Sequence, residues 1–181
     1  PEVITLLIFC TSSFGIILTI FPAFLNDKGM SATDILYLYF AFGISRVVSL
    51  ALAGQFAKRT SQTLIAATLA VSLGLAISVI ADSIIMFGIA IVLMGFGFSI
   101  FFPLTLEIIL SKTRKDISGK IIGAYETIFG LGWVVGPTIG GPITQAFGDE
   151  TPYIIFSIIG IGITLLAIIS RKKLEPLKIS E

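Results

Sequence analysis

Six long apolar runs, at residues 3–25, 35–57, 62–81, 84–110, 120–147 and 152–170, are separated by short polar gaps. Each run meets, within a residue, the roughly 20 residues that an α-helix needs to cross about 30 Å of hydrocarbon at about 1.5 Å per residue. Backbone polar groups cannot be left bare in lipid, and the alternating short strands of a transmembrane barrel are absent. The pattern therefore predicts an all-α polytopic membrane protein, one domain over residues 1–181 with six transmembrane helices and a tail at 171–181.

The gaps carry turn chemistry. Asn26-Asp27-Lys28-Gly29 follows the first run, Lys58 to Ser61 the second, and a turn near Asp82 the third. Residues 111–119, SKTRKDISG, form a charged connector with room for a helical turn on the membrane surface. In the last gap Thr151 is the expected N-cap, with Pro152 at the first helical position. From Arg171 onward the tail is expected to fray or to lie on the surface.

Charge orients the helices. Of the twelve Lys and Arg residues, all but Lys28 and Arg46 fall in alternate gaps. They form the clusters Lys58 and Arg59; Lys112, Arg114, Lys115 and Lys120; and Arg171, Lys172, Lys173 and Lys178. Asp27, Asp34, Asp82, Asp149 and Glu150 collect in the other gaps. Cytoplasmic loops gather Lys and Arg, so both termini are expected in the cytoplasm and the protein in the plasma membrane. The basic gaps suit anionic lipid better than nucleic acid.

Composition excludes several functions. The chain is 55% hydrophobic and 13% charged with a mean hydropathy of +1.03, against about 25% charged for soluble domains. Cys10 is alone, so no intrachain disulfide can form, and the absence of His removes imidazole metal ligands and proton relays. With no paired intramembrane Asp and no G-x-S-x-G elbow, no enzyme, metal or cofactor is expected. No ATP-binding loop is present, so energy must come from a gradient or a partner chain. Because the chain starts at Pro1 rather than Met, a preceding N-terminal portion is expected.

Polar and proline residues mark two runs as cavity-lining. Thr5, Ser12 and Thr19 recur every seven residues in the first run, and Ser99, Pro103 and Glu107 every four in the fourth. Pro22, Pro137 and Pro142 also fall within runs, where each favours a bend. Polar faces on the first and fourth helices fit two inverted three-helix repeats, an arrangement frequent in secondary transporters.

Arg46 stands eleven positions from the basic end of the second run, roughly 16 Å deep at 1.5 Å per residue. A charge at that depth is a functional candidate; it either binds an anionic group of a substrate or makes a structural pair or a helix–helix bond. Glu126 is the corresponding candidate for a counter-charge or a proton carrier, or it bonds to Arg46 or backbone. Tyr37, Tyr39, Phe98, Phe101, Phe102, Tyr125, Phe129 and Trp133 are available to wall a pocket, with Phe102 and Trp133 preferred.

Three local patterns carry a family likeness. The fifth run reads Gly123, Gly132, Gly136, Pro137, Gly140, Gly141, and its glycines 132, 136 and 140 give a groove for close helix approach. Gly54-Gln55-Phe56-Ala57-Lys58-Arg59 follows the second run, and Glu107 precedes Arg114 by seven residues. These resemble the glycine-proline helix, the G-x-L-A-D-R loop and the E-x6-R spacing of the Major Facilitator Superfamily, with Lys58 in the place of the usual Asp. The resemblance implies the C-terminal six-helix half of a secondary active transporter. Such a half works with an N-terminal half and moves a small solute by alternating access, coupled to ions or protons. Arg59, Glu107 and Arg114 then become candidates for a cytoplasmic latch, or Glu107 is simply solvated. The competing expectation is a self-contained six-helix protein that dimerises into a pore or scaffold.

Overall fold

The computed structural model describes residues 2–176, so Pro1 and Lys178 lie outside the described residues. The apolar runs fold as helices α1 (Glu2–Thr19), α2 (Phe21–Asp27), α3 (Ala32–Phe56), α4 (Thr60–Ile80), α5 (Ile84–Ser111), α6 (Ser118–Phe147) and α7 (Thr151–Ile169). Short 3-10 turns lie at Ala57–Arg59, Lys115–Ile117 and Arg171–Leu174, and no strand occurs among the described residues. Four stretches are long and apolar enough to cross a membrane: Glu2–Thr19, Ala32–Ile80, Ile84–Ser111 and Thr151–Ile169. The second is α3 and α4 together. The helix α6 falls outside that set because glycines, prolines, threonines and Glu126 dilute its apolar content.

Local chemistry explains the helix ends. The first run, expected as one helix, divides at Ile20: Pro22 has no N–H to give the preceding turn, and it sits in the first turn of α2, where that donor is not needed. Pro103, Pro137 and Pro142 are accommodated inside α5 and α6. A capping box starts α3, with Asp34 N donating to Ser31 Oγ at 3.2 Å and Ser31 N to Asp34 Oδ2 at 3.0 Å.

Two expectations at the chain's end are corrected. Glu150, not Thr151, is the N-cap of α7, and the Thr151 hydroxyl instead donates to the Phe147 carbonyl at 2.8 Å, closing the end of α6. The tail does not fray where it is described. Leu174 is fully buried, Lys173 Nζ meets Glu2 Oε1 at 2.5 Å, and Lys112 Nζ donates to the Lys173 carbonyl at 2.9 Å.

On the opposite end Lys28 pairs with Glu150, tying the α2–α3 turn to the α6–α7 turn. Both turns use a glycine at positive φ, Gly29 at 85° and Gly148 at 98°, a conformation that costs glycine little.

α1 lies against α6, α5 sits between α3 and α4, and α7 rests on α4. Lipid supplies no hydrophobic drive for helix association, so close packing of small residues must. A Cβ on Gly132 would strike the Thr11 hydroxyl, and one on Gly136 the Ser12 carbonyl; one on Gly15, across the same seam, would strike the Trp133 carbonyl. Gly74 and Gly97 play the same part between α4 and α5. Several buried hydroxyls are returned to their own helices, as with Thr11 to Leu7 O at 2.7 Å and Thr68 to Leu64 O at 2.8 Å. Large apolar side chains such as Phe40, Ile85 and Ile169 stay exposed, which suits contact with lipid chains.

Candidate functional site

The crossing of α1, α3 and α5 places one cation among rings. Arg46 on α3 is half-buried; its Nε donates to Ser99 Oγ of α5 at 3.1 Å. Its Cζ lies 5.0 Å from the Phe14 ring centre and 5.6 Å from those of Phe42 and Phe98. Phe42 is one helical turn before Arg46, so the two share a face. Phe14 and Phe98 stack at 3.7 Å with planes 10° apart, so the guanidinium lies beside a stacked pair of rings.

Trp133 of α6 packs against Phe14, 4.7 Å between ring centres. From there the rings continue as a ladder. Trp133, Phe129 and Tyr125 stand at four-residue intervals on α6, and Phe102 of α5 lies 5.2 Å from Phe129. Thr105 and Tyr125 hydroxyls bond at 2.8 Å, holding α5 and α6 together at the far rung. That rung opens on an apolar groove of 560 Å³ between α1, α5 and α6, rimmed by Lys112 and Lys173.

No carboxylate pairs with Arg46 among the described residues, and of its N–H donors only Nε has a hydrogen-bond partner there. The rings offer cation–π attraction, and the remaining guanidinium edge is left for an acceptor. Chemically the arrangement can hold a carbonyl, a carboxylate or another anionic group while flat apolar surface lies on the aromatic rungs.

The other candidates are distributed differently. Ser99 bonds to Arg46, Trp133 packs against Phe14, and Phe102 sits further along the ladder. Ser12 does not: it lies on the other face of α1, buried, with no bond for its hydroxyl, in a groove of 290 Å³ with Val135 and Phe156. Glu126 is exposed on α6, and no ion pair joins it to Arg46 among the described residues. Arg114 is engaged by Asp116, Nη2 to Oδ2 at 2.8 Å, while Glu107 and Arg59 are exposed. Gly132, Gly136 and Gly140 face α1, whereas Gly123 and Gly141 face open space. Phe14 and Phe42 were missing from the sequence reading; the four-residue spacing of Phe42 and Arg46 was the available signal.

Comparison with known proteins gives the same direction along nearly the whole chain. The family model of the Major Facilitator Superfamily matches residues 3–180. The Multi-drug resistance efflux pump PmrA homolog of Lactococcus lactis is 27% identical over 177 residues, covering 93% of this chain and 43% of that protein. Multidrug resistance protein 2 of Bacillus subtilis is 25% identical over 169 residues, covering 92% and 42%. The human MFS-type transporter SLC18B1 is 40% identical over 47 residues, 26% of this chain and 10% of that protein. The chain thus spans less than half the length of the two bacterial relatives. A membrane protein built of apolar helices, it belongs to the Major Facilitator Superfamily.

Proposed function

We propose that the chain is a six-helix half of a secondary active transporter, which moves a small solute by alternating access and draws on an ion or proton gradient. The observation that carries this reading is Arg46, a cation beside a stacked pair of rings and a third ring, with no acid paired to it among the described residues. Such a charge is costly in lipid, and a solute bringing an acceptor or negative group would offset the cost. The relatives named for multidrug efflux favour export, and the ladder from Trp133 to Tyr125 suits flat apolar compounds.

Length supports six crossings. A straight helix of the 49 residues Ala32–Ile80 would measure about 74 Å at about 1.5 Å per residue, more than twice the ~30 Å hydrocarbon core, so it is two crossings. α6 has 30 residues, and its interruption by glycine and proline is what cavity-lining transporter helices carry. With α1 and α2 as one crossing, the helices group as two inverted repeats of three. Basic gaps support a cytoplasmic position for both termini, and a plasma-membrane location is part of the same proposal. The absent partner is an N-terminal six-helix half, facing the exposed side of α3 and α6. Glu126, exposed and unpaired among the described residues, is the proton-carrier candidate, and Arg114 exchanging Asp116 for Glu107 is the latch, with Arg59 its third candidate member.

The test uses the full-length transporter in proteoliposomes with a panel of anionic, neutral and cationic planar dyes. Arg46→Ala is expected to reduce gradient-driven transport at least tenfold, anionic dyes most. Unchanged transport of every dye would defeat the reading.

A further inference from the structure

α3 and α4 pack against α5 rather than along each other, and they join at the 3-10 turn Ala57–Arg59. That leaves an apolar groove of 560 Å³ between them, floored by Phe96 and Ile100 of α5 and walled on α4 by Ala66 and Ala70. The small alanines keep the groove open to the surrounding lipid. At its end a second pocket of 650 Å³ opens around the turn and the start of α4; it is polar, and among the described residues Glu175 is its one acidic wall residue. Lys58, Arg59 and Gln62 line both. Lys58 and Arg59 are exposed and make no ion pair among the described residues.

We propose that this composite site holds an anionic phospholipid from the leaflet on the side of the basic turns. Its phosphate lies between Lys58 and Arg59, and one acyl chain runs along α5 past Ala66 and Ala70. Two features of the site select that occupant. The groove is apolar and continuous with a polar pocket, the shape of a molecule with a head and a tail. Two cations against one carboxylate also leave a single positive charge, the complement of one phosphate diester. The carboxylate of Glu175 accepts from Ser61 Oγ at 3.4 Å, on the wall away from the groove. This reading goes beyond transport and needs only a membrane-embedded chain.

The full-length protein is equilibrated in nanodiscs of equal phosphatidylcholine, phosphatidylethanolamine and phosphatidylglycerol, then released and weighed by native mass spectrometry. One phosphatidylglycerol is expected to be retained in preference to either other lipid. Replacing both cations, Lys58→Gln with Arg59→Gln, should weaken retention about thirtyfold, roughly fivefold for each charge. Ala70→Trp keeps the charges and fills the groove, and it should weaken retention comparably, with Ala66→Trp as a second groove variant and circular dichroism as the check on folding. Glu175→Gln should strengthen it. Equal retention of the three lipids would overturn the proposal, as would loss in the charge variant without loss in either groove variant, which is the mark of diffuse surface attraction. Retention that emerges only when residues 177–181 are removed would make the chain's own tail the occupant and also overturn it.

Discussion

Arg46 is held by three weak attractions and one hydrogen bond, and each can be removed separately. A cation–π contact is worth about 0.5–2 kcal/mol and a hydrogen bond to a charged group about 1.5–3 kcal/mol. Ser99→Ala therefore frees the guanidinium without deleting it, and the apparent KM for an anionic dye should rise about tenfold while kcat changes little. Arg46→Lys should not restore Arg46→Ala, because an ammonium has neither the flat face nor the fork of donors; full restoration would show that charge alone suffices. Glu126→Gln should leave dye binding intact, read by ligand-induced thermal shift, and abolish the response of transport to a pH gradient. Retained proton drive would remove Glu126 from the mechanism. Counting residues along the run sets the depth of Arg46 but not its azimuth around the helix axis, and the same holds for the direction in which Glu126 points. Ser12 and Phe14 are two residues apart on α1, yet one faces the α6–α7 groove and the other the guanidinium.

At the level of the element, the seam between α1 and α6 rests on glycines that admit no side chain. Gly132→Leu should destabilise by at least the 1–3 kcal/mol typical of overpacking, because the Thr11 hydroxyl it meets is already bonded to its own helix. Gly141→Ala points into open space and should be neutral or slightly stabilising in the same detergent melt. Equal melting of the two would mean that the seam is looser than described. The glycine spacing was legible because four-residue repetition survives any helix rotation. The break at Ile20 was less so: Pro22 announced a bend, but whether a helix bends or restarts depends on how the freed carbonyls are satisfied. The ladder on α6 could have been read from the even spacing of Tyr125, Phe129 and Trp133. The return of Leu174 to the core could not, since a basic tail beside anionic lipid has equal reason to stay at the surface.

For the molecule as a whole, the asymmetry of charge and the closure of both ends belong together. The basic end is drawn shut by Glu2 with Lys173 and by Lys112 on the tail carbonyl, the acidic end by Lys28 with Glu150. Reporter tags near Arg114 and near Lys172 should fall on one side of the membrane and a tag near Lys28 on the other; any other result would miscount the crossings. Between those ends, the rings and Arg46 must meet water from each side in turn if the chain works as half of a carrier. The most direct test places a single cysteine at Ser99 in a cysteine-free full-length transporter, with Cys10 replaced, and labels it with membrane-impermeant thiol reagents from either side. The account predicts labelling from one side at a time, the side set by the imposed gradient, with protection by transported dye. Labelling from neither side, or from both at once without protection, would contradict it.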